Sequence, residues 1–142
     1  MPEWPGYGDS TGDELLEDML DFALHGWDLV EALGLSRPHV VGHSMGGMIA
    51  AGGDLASPRR LAMAGKILFP IPNRRLAKRL YRLTAETLIV WGAGDRLIVP
   101  AYAARWGAAI PGARVETLGG AGHRLPYEQP EAFTRVLAGC LG

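Results

Sequence analysis

Apolar positions along the chain follow two rhythms, one helical and one extended. Between Thr11 and Gly34, Leu16, Leu20, Ala23, Trp27 and Val30 recur at helical spacing and predict the buried stripe of one long helix. Thr11 and Glu14 have the spacing of a capping box, Asp and Glu crowd the first turns, and Gly34 suits a C-cap. "RPHVVGH" predicts a strand, on the strength of Val40 and Val41, and Met48 to Ala51 continue as a helix. Leu88 to Trp91 is apolar without alternation, the pattern of a buried strand, and runs into Gly-Ala-Gly-Asp. A helix follows Pro100. "ARVETL" is another strand, leading into a glycine-rich loop, and "QPEAFTRVLAGCLG" closes the chain as a helix with Pro130 near its start.

Elsewhere the pattern is weaker. "MPEWPGYGDSTG" reads as loop, dense in Pro and Gly. From Ala51 to Pro72 the chain predicts a helix end, a loop near Ser57-Pro58 and another helix from Arg59 to Gly65. The short run "KILFP" there fits a strand or a helix end equally. "PNRRLAKRLYRL" is helical, with Leu76, Leu80 and Leu83 on one side. Its basic residues Arg74, Arg75, Lys78, Arg79 and Arg82 read as a solvated face, since no aromatic interleaving or groove motif accompanies them. Alternating strands and helices predict a parallel sheet with helices packed on its faces. With no repeat or linker, residues 1–142 are expected to form a single domain.

Composition adds exclusions. The 142 residues suit one core, and 48% hydrophobic with 20% charged residues is ordinary for a soluble globular protein. A net charge of −1 calls for neither nucleic acid nor an anionic membrane. The single cysteine, Cys140, makes no internal disulfide and reads as a small apolar residue on the last helix. No apolar run reaches membrane-span length and no signal-peptide pattern opens the chain, so a cytoplasmic location is the expectation.

Against that plain background "VVGHSMGGMIA" stands out. The chain passes from strand to helix at Ser44, with Gly42 and Gly46 two residues to either side. A tight strand–turn–helix is expected to crowd both glycine positions, to lift the serine hydroxyl above the sheet edge, and to aim the first helix amides beside it. A glycine-rich turn with an incidental serine is the bland alternative, and the length of the match weighs against it. Asp95 and His123 also follow strands at their C-terminal ends. In a parallel sheet those ends share one edge, where ligand sites form. The order serine, acid, histidine is that of a triad served by an elbow serine. Asp95 has a turn-stabilising alternative and His123 a capping or core one. His43 reads as packing or pocket lining, and His25 and His39 as structural. Four histidines so dispersed form no zinc motif.

These motifs resemble the α/β-hydrolase family. "VVGHSMGG" is similar to its elbow, "TLIVWGAGDRLIVP" to its acid strand and loop, and "GGAGHRLPYEQPEAF" to its histidine loop and final helix. "PEWPGYGDS" resembles a segment that follows an earlier strand in that family. The resemblance implies an α/β fold: a reduced, three-layer hydrolase core with a mostly parallel sheet of about 3–4 strands flanked by helices. It implies Ser44 as nucleophile, His123 as base, Asp95 as the group orienting the imidazole, and the Met45 amide as an oxyanion donor. It implies no metal and no cofactor.

Set against the family pattern, the chain is expected to be shortened at its N-terminus and in its middle. The loop that carries the second oxyanion donor in the family has no counterpart, and His25-Gly26 lies inside a predicted helix. Losing one such donor costs about 10²–10³ in turnover. A small sheet also leaves an edge, expected to pair with a second copy or to lie under the N-terminal arm. The leading functional expectation is a serine hydrolase that cleaves a small-molecule carboxylic ester or related acyl bond through an acyl-enzyme. "GHRLPYEQPE" also resembles relatives that hydrolyse carbon–carbon bonds, and other relatives are acyltransferases or perhydrolases. The alternative is an inactive remnant or binding module with an incomplete oxyanion hole.

Overall fold

The computed structural model describes residues 4–6, 9–12, 14, 16, 19–55 and 76–141. They fall in two compact units, Met1–Pro72 and Asn73–Gly142.

In the first unit, Gly12 has φ +91°, a left-handed conformation that no helix residue adopts. The Thr11–Glu14 capping box is therefore not realised. Glu14 lies in a 3-10 turn, Leu16 is non-helical, and the helix α1 spans Met19–Ala32. Its C-terminus is as expected. Gly34 has φ +65°. Its N–H donates to Glu31 O at 2.9 Å, and that of Leu35 to Val30 O at 3.1 Å. This is a Schellman cap. Of the predicted stripe, Ala23 is buried and Val30 half-buried, whereas Trp27 is 37% exposed. Trp4 packs beside the stripe: its ring meets Phe22 edge-on at 5.8 Å and His25 at 5.7 Å, and a Cβ on Gly26 would lie 3.0 Å from it. The helix α2, Met45–Leu55, packs against α1 and buries Ile49.

The strand expected at "RPHVVGH" is absent among the described residues. Residues 38–43 have no ladder partner among the described residues, and Val40 and Val41 are 65% and 58% exposed. Branched side chains favour an extended backbone, but a strand also needs a neighbour to bond.

The described part of the second unit opens with two short 3-10 helices, Leu76–Lys78 and Leu80–Arg82, where the sequence predicts one continuous helix. Leu80 and Leu83 are buried, while Lys78 and Arg82 face solvent as expected. Strand β1, Leu88–Gly92, the helix α3, Ala101–Ala109, and strand β2, Arg114–Leu118, make a β–α–β unit. The strands are parallel, in register from Leu88 opposite Arg114 to Gly92 opposite Leu118. Gly107 lets α3 approach this sheet: a Cβ there would lie 2.5 Å from the Val115 Cγ2. A one-turn helix, α4 (Leu125–Glu128), precedes the closing helix α5 (Pro130–Leu141).

The fold is therefore α/β, a small parallel sheet flanked by helices. Two strands pair among the described residues, where the sequence predicts about three or four. The predicted helix at 59–65, "KILFP", Arg74 and Arg75 lie outside the described residues.

Candidate active site

Ser44 has φ +55°, a left-handed conformation that costs a non-glycine residue free energy and is retained where surrounding structure enforces it. The enforcing contact lies at Gly42. A Cβ there would sit 2.2 Å from Gly46 O and 2.7 Å from Gly47 N. Only glycine lets the incoming chain lie so close to the first turn of α2. The expected crowding at Gly46 is absent, since a Cβ there meets nothing within 4 Å among the described residues. Among the described residues the turn is crowded at Gly42 alone.

The helix closes behind the serine. Gly46 N–H donates to His43 O at 2.9 Å and Gly47 N–H to Ser44 O at 3.0 Å. Met45 is the first residue of α2, and its amide precedes both, among those a helix leaves open at its positive end. Ser44 itself is exposed.

In the second unit, the loops after β1 and β2 are laced together. A Cβ on Gly92 would lie 2.3 Å from Gly122 O, so the end of β1 admits no side chain against the second loop. Ala93 N–H donates to Leu118 O at 2.9 Å and Gly94 N–H to Ala121 O at 2.8 Å. Trp91 Nε1 donates to Ile98 O at 3.0 Å and ties down the loop that carries Asp95. These contacts bring Asp95 and His123 together, with the His123 Nδ1 2.9 Å from the Asp95 Oδ2. The other carboxylate oxygen accepts from the amides of Leu97 and Ile98, each at 2.9 Å.

Asp95 is 6% exposed. Burial alone would raise its pKa, but the Ile98 amide, the His123 ring and the Leu97 amide together outweigh that and hold the carboxyl below the usual aspartate value. An ionised carboxylate only accepts hydrogen bonds. The Nδ1 of His123 must then carry the proton, which makes Nε2 the basic nitrogen of the neutral ring. The His123 side chain is 21% exposed, against 5% for Asp95, so the ring stands between a buried carboxylate and solvent.

Sequence reasoning missed the residues that hold the histidine loop. Glu128 Oε2 accepts from the amide of Gly122, Glu128 Oε1 from that of Arg124 at 3.2 Å, and Gln129 Nε2 donates to Gly120 O at 3.3 Å. The available signal was an acidic residue one turn into a short helix, which can reach back to amides before it much as a capping box does. His25 packs on Trp4. No cluster of metal-ligating side chains occurs among the described residues, and no described helix is long and apolar enough to cross a membrane.

Several known proteins and a family model are similar to this chain. A 2-hydroxy-6-oxononadienedioate/2-hydroxy-6-oxononatrienedioate hydrolase from Cupriavidus pinatubonensis (strain JMP 134 / LMG 1197) is 36% identical over 64 residues, which are 45% of this chain and 22% of that protein. Among solved structures, a predicted CIB-like hydrolase from Thermoplasma acidophilum superposes with a TM-score of 0.81 at 26% identity, over 99% of this chain and 69% of the other. A carboxylesterase from Bacillus subtilis shares the fold, with a TM-score of 0.68 at 17% identity, over 88% of this chain and 67% of its own. The model of the alpha/beta hydrolase family matches residues 1–85 and 56–136. Those spans take in the Ser44 turn, Asp95 and His123, and with the shared fold they make this chain a member of the alpha/beta hydrolase family.

Proposed function

We propose that the chain is a serine hydrolase cleaving a carboxylic ester or a related acyl bond of a small molecule. The observation that carries the reading is the Asp95–His123 pair, a buried carboxylate that fixes the tautomer of a partly exposed imidazole. The left-handed Ser44 at the start of α2 supports it. In the reaction, Ser44 Oγ attacks the acyl carbon and its proton passes to His123 Nε2. Asp95 keeps the Nδ1 proton and stabilises the imidazolium without taking it. The Met45 amide donates to the oxyanion of the tetrahedral intermediate. That intermediate collapses to a Ser44 ester and expels an alcohol, which receives the proton from His123. Water then repeats the sequence and releases the acid.

Residues 1–142 act as a single hydrolase domain, and the chain works in the cytoplasm. The relative from C. pinatubonensis supports a second substrate reading, hydrolysis of a carbon–carbon bond in a compound of the kind that relative's name gives.

The test is intact-mass spectrometry after exposure to a fluorophosphonate, with Ser44→Ala in parallel. The expected result is one adduct on the parent and none on Ser44→Ala. No adduct on folded parent protein overturns the serine-hydrolase reading in favour of an inactive remnant or binding module.

A further inference from the structure

Glu128 has no place in the reaction just described, yet its carboxylate is bonded to the backbone on both sides of His123. Oε2 takes the amide of Gly122, the residue before the histidine, and Oε1 takes that of Arg124, the residue after it. The fit is close. A Cβ on Gly122 would lie 3.2 Å from Glu128 Oε2 and 3.6 Å from Oε1, so the glycine leaves the room that the carboxylate fills. We infer that Glu128 is a positioning residue for His123, one that sets the imidazole against Asp95 by fixing the peptide planes that flank it. The inference deepens the proposed hydrolase reading and rests on it.

The physical case is one of two-ended support. The ring of His123 is held at Nδ1 by Asp95, which is itself held by Leu97 and Ile98. The bond at Nδ1 holds the ring against Asp95 but does not by itself fix the backbone that carries the ring. The loop from Gly119 to His123 contains three glycines, and Gly120 has φ +71°, so intrinsic stiffness is low. Two amides converging on one carboxylate remove that freedom on both sides of the histidine. Charge assistance makes each of these bonds stronger than a neutral one. A glutamate suits the task because both oxygens accept, whereas a glutamine offers one acceptor and turns an N–H toward the other amide.

The experiment compares the parent with Glu128→Gln and Glu128→Ala. It measures kcat and KM on a short-chain p-nitrophenyl ester, the rate of fluorophosphonate labelling, thermal unfolding, and the downfield proton resonance of the His123 Nδ1–H bonded to Asp95. Glu128→Ala is expected to lower kcat about 10²-fold, the scale of a small misplacement of a reacting group. KM should stay within about twofold, and the resonance should broaden or vanish at temperatures where the protein is folded. Glu128→Gln should fall between the two and so provide partial rescue. A folded Glu128→Ala with parental kcat and an intact resonance overturns the inference, even with a lower Tm, since the residue is then merely structural. If Glu128→Ala does not fold, Glu128→Gln decides: an intermediate kcat and a weakened resonance support the inference, and parental values overturn it. A parent inert to ester and fluorophosphonate removes the hydrolase reading alone. The resonance then decides the positioning role, with its loss in Glu128→Gln in favour and its persistence against.

Discussion

A methyl group added at Gly42 would lie 2.2 Å from the Gly46 carbonyl oxygen, while one added at Gly46 meets nothing within 4 Å among the described residues. The two glycines of one motif thus carry different constraints. Gly42→Ala is expected to cost about 1–3 kcal/mol, the range for forcing a group into packed space, and to abolish labelling of Ser44. Gly46→Ala places alanine inside α2 and should be neutral or stabilising by about 0.5–1 kcal/mol. Urea unfolding of the two variants checks this asymmetry, and equal losses would contradict it. The sequence shows Ser44 plainly because five contiguous residues carry the whole turn. Asp95 and His123 are legible as candidates because each lies in a loop that follows a strand. Glu128 was hidden for the opposite reason: its partners are backbone amides, which leave no mark in the identity of the residues that own them.

Elements were predicted well where their signals are local. The Schellman cap at Gly34 needs one left-handed residue, and glycine supplies it. Gly34→Ala should therefore lower stability by about 1 kcal/mol without changing α1, as read by thermal unfolding and far-ultraviolet circular dichroism. The β1–α3–β2 unit was readable because an apolar strand, a proline-led helix and a second strand follow one another with short turns. Two positions escape local signals. Trp27 lies on the predicted stripe of α1 yet is 37% exposed, while Phe22, His25 and Gly26 beside that stripe meet Trp4. Val40 and Val41 have no ladder partner among the described residues, since pairing depends on a partner that local preference cannot supply. At both places the deciding contact lies outside the local sequence.

At the scale of the molecule, a buried charge ties folding to pH. The carboxyl of Asp95 titrates below its usual value in the folded protein, so the unfolded chain binds its proton more readily. The sign follows. This contribution to stability is complete above the unfolded aspartate value of about 3.9 and is lost as pH falls through the lower folded value. Urea midpoints measured from pH 6 down to about 3 should therefore fall more steeply for the parent than for Asp95→Asn, which has no proton to take up there. Parallel curves would contradict the assignment.

The hydrogen bonds described for Asp95 all arise between Gly92 and His123, inside the second unit. Ser44 belongs to the first. Asp95 and His123 are thus encoded in one contiguous stretch of the chain and Ser44 in another. A single codon change at position 44 exchanges that side chain and alters none of the residues that hold Asp95 against His123.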